Sequence, residues 1–124
     1  MNTVIVGIGS NIDPDHHIDL AIRKLAEISR VVKVSSLRVT SPLGYTEQPD
    51  FVNGAALIES DQDSETFTRT LKGIEQELGR VKTANKNGPR TIDLDIVVWN
   101  GRVVDDDYYK RDFLREIARE VGGP

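Results

Sequence analysis

The sequence predicts an α+β sandwich of the split βαβ, ferredoxin-like kind, in the order βαββαβ with a short extra helix at the C-terminal end. Three observations carry that expectation. Apolar and β-branched runs mark four strands, two stretches between them repeat apolar residues at helical spacing, and Gly, Pro and Asn clusters punctuate the joins. A hydrophobic content of 38% over 124 residues fills one modest core, so residues 1–124 are read as a single domain.

Thr3 to Gly9 is continuous and β-branched, as a buried central strand would be, and stops at the turn-forming Gly9-Ser10-Asn11. After Asp13-Pro14-Asp15, residues Ile18, Ile22, Leu25 and Ile28 recur at helical spacing, with Asp15 as the expected cap. Val31 to Thr40 reads as a second strand, closed by Ser41-Pro42-Leu43-Gly44. A third strand, Phe51 to Glu59, puts Val52, Ala56 and Ile58 on one face and Phe51, Asn53 and Leu57 on the other. Ser64, Phe67, Leu71, Ile74 and Leu78 outline a second helix, ended by Gly79 where a left-handed cap fits. Arg80 to Pro89 is a basic loop, and Thr91 to Asn100 a fourth strand with Ile92, Leu94, Ile96 and Val98 facing one way. Asn100-Gly101 is the strongest turn signal in the chain, and Phe113, Ile117 and Val121 suggest the last helix.

A net charge of −4 argues against a nucleic-acid partner, whose backbone is gripped through many Lys and Arg contacts. The apolar runs are far shorter than a membrane span, and Met1 to Gly9 lacks a basic signal-peptide start, so a cytoplasmic protein is expected. The absence of cysteine removes thiol nucleophiles and thiolate metal sites, which leaves carboxylates, Arg, Lys and two His and makes magnesium the natural metal.

Asp93 and Asp95 lie two apart on a predicted strand, so both carboxylates leave the face opposite the apolar side. Alone, such a pair is more often solvated or paired with Arg and Lys than bound to metal. Arg80, Lys82, Lys86 and Arg90 change the balance, because the loop leading into that strand surrounds the carboxylates with positive charge, as phosphoryl transfer needs. Phe51 offers a stacking plane and Asn53 an amide for a flat heterocycle, although a core Phe beside a turn-closing Asn is the plainer reading of the two by themselves. His16 and His17 point different ways without a third ligand and are read as surface residues. Gly7-Ile8-Gly9 is no dinucleotide fingerprint, because the spacing fails at Ile12.

These residues also form an ordered series. Gly9-Ser10-Asn11, Ser41-Pro42-Leu43-Gly44, Gln48 to Asn53, Ile74-Glu75, Leu78-Gly79-Arg80 and above all Gly88-Pro89-Arg90-Thr91-Ile92-Asp93-Leu94-Asp95-Ile96 resemble the hydroxymethyldihydropterin pyrophosphokinase family over roughly the first hundred residues. The resemblance implies transfer of diphosphate from ATP to the hydroxymethyl group of a reduced pterin, with release of AMP, in folate biosynthesis. It implies two magnesium ions on Asp93 and Asp95, with Arg80 and Arg90 engaging the phosphates. It implies contacts of Lys72, Glu75, Lys82, Ile96 and Arg111 with ATP. Thr40, Leu43, Phe51, Asn53 and Phe113 would take the pterin, with Phe51 and Phe113 as the two walls of the stack. The chain departs from the family after Val104, where a longer segment with a Pro-His pair and basic residues gives way to Asp105-Asp106-Asp107-Tyr108-Tyr109-Lys110. That shortening leaves open a noncatalytic or altered-specificity pterin- or nucleotide-binding homologue.

Overall fold

The computed structural model describes residues 1–80 and 88–124. The elements run β1 (Asn2–Ser10), α1 (Pro14–Ile28), β2 (Arg30–Val34), β3 (Arg38–Thr40), β4 (Phe51–Ser60), α2 (Ser64–Glu77), β5 (Asp93–Trp99), β6 (Arg102–Val103), α3 (Asp107–Lys110) and α4 (Asp112–Glu120). They build one antiparallel sheet in the order β2-β4-β1-β5-β6, with β3 continuing the line of β2 along β4. Two crossovers, α1 and α2, bring β1 and β4 together at the centre, which is the expected ferredoxin-like α+β arrangement.

One face of the sheet is packed by α1 and α2. Val4, Val6 and Ile8 of β1, Ala56 and Ile58 of β4 and Leu94 of β5 meet Leu25 of α1 and Phe67 and Leu71 of α2 in a fully apolar layer. Period-2 strands and 3.6-period helices each present one such side, and burying it drives the two layers together. Asp63 caps α2, its Oδ1 accepting the Thr66 N–H at 2.7 Å. Gly79 ends α2 at φ 86, where a side chain would be strained. Asn100 and Gly101 both take positive φ, 49 and 82, and make the β5–β6 hairpin.

Several expectations are corrected. Asp15 does not cap α1: the cap position is Asp13, left-handed at φ 44, and it makes no side-chain cap bond. Pro14 sets the first helical φ instead, and Asp15 sits exposed in the first turn, facing the positive end of the helix dipole. The second strand is split at Ser35-Ser36-Leu37. Ser35 takes over the ladder there, since its N–H donates to the Ala55 carbonyl and its Oγ accepts the Ala55 N–H, both at 2.8 Å. In β5 the register against β1 slips between Ile5 and Val6, so Val97 is an extra residue and Val98 joins it on the far face while Trp99 returns to the helix layer. A bulge reverses alternation from that point on, which a strict period of two misses.

The far face is covered as well. Leu114, Ile117, Ala118 and Val121 of the α4 region pack on Ile5, Ala55, Val97 and Val98. The extra C-terminal helix is therefore a third layer, and its N-terminal end, with Leu114 beside Gly7, reaches the part of the sheet where the glycines of β1 lie.

Candidate active site

The site lies on the α4 face of the sheet, beyond the N-terminal end of α4. Strand register aligns Asn53 of β4, Gly9 of β1 and Asp93 of β5 in one row, and Ala55, Gly7 and Asp95 in the next. Gly9 and Gly7 make the floor between the polar walls. A Cβ on Gly9 would stand 3.0 Å from Asn53 Oδ1, and one on Gly7 would stand 3.1 Å from a Val97 methyl. In the sequence Gly7 and Gly9 read as part of a strand and not as a dinucleotide loop, without being assigned to a site. Glycine at every second position of a strand, on the face opposite Val6 and Ile8, was the available signal.

Asp93 is held by two guanidinium groups, with Arg80 Nη1 2.9 Å from Oδ1 and Arg90 Nη1 3.2 Å from Oδ2. Arg80 also reaches Glu75 at 2.8 Å, and the Leu94 N–H donates to the same Glu75 oxygen at 2.8 Å. Glu75 is 4% exposed, so these bonds satisfy a carboxylate buried between α2 and β5. Its environment is that of a structural tie. The Arg80 guanidinium is raised above its ordinary value: burial pulls it down, and Asp93 and Glu75 more than offset that.

Asp95 differs from its neighbour. Among the described residues Lys72 is the cation at its side, with Nζ 3.8 Å from Oδ1. Desolvation first, then repulsion from Asp93, Glu75 and Asp105 against the pull of Lys72, pushes the Asp95 carboxyl up to about 7. Its side chain remains 49% exposed, which leaves it open to a ligand. Excess negative charge on one face of a strand, only partly neutralised by protein, is what a bound divalent cation would relieve.

A cavity of about 240 Å³ brings together Thr40, Leu43, Phe51, Asn53, Arg90 and Arg111, with Asp93 and Asp107 at its rim. Asn53 Nδ2 donates to Thr40 Oγ1 at 2.6 Å, and the Arg90 guanidinium lies over the Phe51 ring, 5.5 Å from its centre. Phe113 does not line this cavity. It lines a smaller adjoining one of about 70 Å³ with Gly7, Gly9, Asp95 and Arg111, and Arg111 lies over its ring at 5.6 Å. The two aromatic walls are thus on neighbouring cavities that share Asn53, Asp93 and Arg111. A third and larger cavity, about 830 Å³, opens on the other side of Asp95 and is lined by Ile96, Thr68, Trp99, Arg102, Asp105 and Asp106. Lys72, on α2, meets Asp95, which lines this cavity too. Lys82 and Lys86 lie outside the described residues.

Asn11, also missed, fixes two loops to each other. Its side-chain oxygen accepts the Arg90 N–H at 2.9 Å, while its Nδ2 donates to Gln48 Oε1 at 2.8 Å and to the Pro49 carbonyl at 3.0 Å. The segments carrying Arg90 and Phe51 are joined through this one amide, 4% exposed. His17 contacts only the Ile12 carbonyl among the described residues through Nδ1, and neither His enters a cavity described above. Among the described residues no helix is long and apolar enough to cross a membrane.

The profile of the 7,8-dihydro-6-hydroxymethylpterin-pyrophosphokinase family matches residues 5–122. The chain is 42% identical over 105 residues to the folic acid synthesis protein fol1 of Schizosaccharomyces pombe, covering 82% of this chain and 14% of that protein. It is 37% identical over 105 residues to the 2-amino-4-hydroxy-6-hydroxymethyldihydropteridine pyrophosphokinase of Pseudomonas aeruginosa, covering 82% of this chain and 64% of that protein. With the enzyme of the same name from Haemophilus influenzae it is 33% identical over 136 residues, covering 98% and 84%. That alignment is longer than the chain itself, so the relative carries residues with no counterpart here. The chain belongs to the 7,8-dihydro-6-hydroxymethylpterin-pyrophosphokinase family.

Proposed function

We propose that this chain transfers diphosphate from ATP to 6-hydroxymethyl-7,8-dihydropterin and releases AMP, a step of folate biosynthesis carried out in the cytoplasm. The observation that carries the reading is the row Asn53, Gly9, Asp93 with Asp95 beside it, which sets an aromatic and amide cavity next to a carboxylate pair ringed by Arg80, Arg90 and Lys72, in a member of this family.

The donor set fits magnesium held mainly by substrate. Among the described residues no cluster of three or more His, Cys, Asp or Glu could hold a metal ion unaided. Magnesium is commonly bound through one or two carboxylates plus phosphate oxygens, so Asp93 and Asp95 suffice once ATP brings the rest. When bound there, two ions would neutralise the triphosphate and the charge that builds up on it during transfer.

The protein's own contribution is position and charge. Phe51, and Phe113 from the neighbouring cavity, take the faces of the pterin, while Asn53, oriented by Thr40, and backbone near Leu43 meet its edge. ATP occupies the larger opening beside Ile96 and Lys72, with its phosphates directed at Asp95. Arg90 and Arg111 border the cavity in which the reacting groups meet, and with Arg80 they stabilise charge on the transferring group. The hydroxyl oxygen forms a bond to the β-phosphorus as the bond to the bridging oxygen of AMP breaks, with positioning rather than a covalent intermediate supplying the acceleration. Lys82 belongs to the same proposed nucleotide contacts.

The direct test is AMP formation from ATP and magnesium with and without the reduced hydroxymethylpterin. AMP that appears only with pterin supports the reading. ATP left intact, or split to ADP, overturns it.

A further inference from the structure

We infer that Glu120 is a positioning residue of the pterin site, acting from the far end of α4. This rests on the proposed function. The carboxylate of Glu120 accepts the Ser36 N–H on Oε1 and the Ser36 hydroxyl on Oε2, both at 2.8 Å, and Arg38 Nη2 lies 3.3 Å from Oε2. Glu116, one turn earlier, adds a longer contact to Arg38 at 3.6 Å. The Ser36 N–H, the Ser36 hydroxyl and the Arg38 guanidinium hold the Glu120 carboxyl below its ordinary value, so it is charged at neutral pH.

What this clamp joins gives it a functional meaning. Arg38 continues the row Asn53, Gly9, Asp93 by pairing in register with Asn53, and two residues on Thr40 orients the Asn53 amide. The other partner is α4, whose N-terminal end carries Arg111 and Phe113 at the cavities. Phe113 and Glu120 are seven residues apart, two turns or about 10 Å of helix. The seat of α4 on Ile5, Ala55, Val97 and Val98 is close-packed and apolar, and its contacts taken singly have no direction along the helix axis. Charge-assisted hydrogen bonds to two backbone-adjacent donors do have one. Glu120 therefore adds to that packing a directional stop on how far α4 slides and how it is turned, and with that on the separation between Phe113 and the wall made by Asn53 and Thr40.

The test compares Glu120→Ala, Glu120→Gln and Glu120→Asp with the wild-type chain, at a temperature where all remain folded. Arg23→Ala, which removes a remote surface pair with Asp19, is the control for loss of an ion pair. KM for the reduced pterin is expected to rise roughly three- to tenfold in Glu120→Ala, because small displacements of positioning groups are costly, while KM for ATP stays within about twofold. Glu120→Gln, which keeps one acceptor for Ser36, should recover most of the loss, whereas the shorter Asp should not. The second readout needs no ligand: the NMR signals of the Phe113 ring and the Thr40 methyl should both shift in Glu120→Ala and stay in place in Arg23→Ala. Unmoved signals, or equal rises in both KM values, overturn the clamp. A wild-type chain without pterin-dependent AMP formation overturns the proposed reaction instead, and the NMR comparison then decides the clamp alone.

Discussion

The two faces of the sheet make opposite use of the same strands. In β1, Val4, Val6 and Ile8 are all large and buried toward α1 and α2, while the other face runs Ile5, Gly7, Gly9 and loses its side chains as it nears the site. Each large apolar side chain given up forgoes about 1.5–3 kcal/mol of burial. The space gained is the floor on which Asn53, Asp93 and Asp95 stand. The face toward α1 and α2 is apolar along its length, whereas the far face is packed by α4 at one end and carries the proposed site at the other, so substitutions in the first core and in that site should separate.

The largest effects should show that separation. Asp95→Ala is expected to lower kcat roughly 10³-fold or more while leaving the thermal midpoint within a few degrees of wild type, because a charge-stabilising group is lost from an already strained cluster. Phe67→Ala, buried at 0% exposure on the opposite face, should cost about 3–5 kcal/mol of stability with KM values unchanged while the protein is folded. Urea titration and steady-state kinetics on both variants check the pair. Retained activity in Asp95→Ala would remove the metal role from Asp95.

Next comes the aromatic wall. Phe51→Ala should weaken pterin binding by about 1–3 kcal/mol in calorimetry, and Phe51→Tyr should be close to neutral because the ring face is kept. Equal affinity in all three proteins would place the pterin elsewhere.

A smaller effect sharpens the contrast through pH. The Asp95 carboxyl is pushed up to about 7 from an ordinary value of 3.8, so the ligand-free folded state holds this proton more tightly than the unfolded chain does. Its contribution to stability is fully present below the unfolded value and is lost as pH climbs to about 7. Asp95→Asn should therefore unfold at higher temperature than wild type above neutrality, by on the order of 1 kcal/mol after allowance for a half-exposed group, and match it near pH 4. Thermal melts without metal across that range provide the check, and magnesium with ATP should erase the difference. Smallest of all is the acidic run. Asp105 and Asp106 border the larger cavity and Asp107 the smaller two, so changing all three to Asn should strengthen ATP binding by about 1 kcal/mol or less. A loss of ATP affinity would mean that these carboxylates assist the nucleotide.

Alternation and helical spacing are local properties, and they are the reason most of the molecule is readable from residue order alone. Four strand regions, both crossover helices, the Gly79 cap and the Asn100-Gly101 hairpin follow from patterns a few residues long. Asp93 and Asp95 share a face for the same reason, and the ordered series around them led to the family. The split at Ser35, the bulge at Val97 and the α4 layer did not follow, because each depends on a partner strand or helix distant in sequence. Nor did the joining of the Arg90 and Phe51 segments by Asn11, or the reach of Glu120 to Ser36, 84 residues away. The sequence by itself settled which residues face together along most elements, β5 beyond its bulge excepted. Only tertiary structure decided which of them meet across elements, because register, bulges and helix docking are set by packing energies summed over the whole sheet.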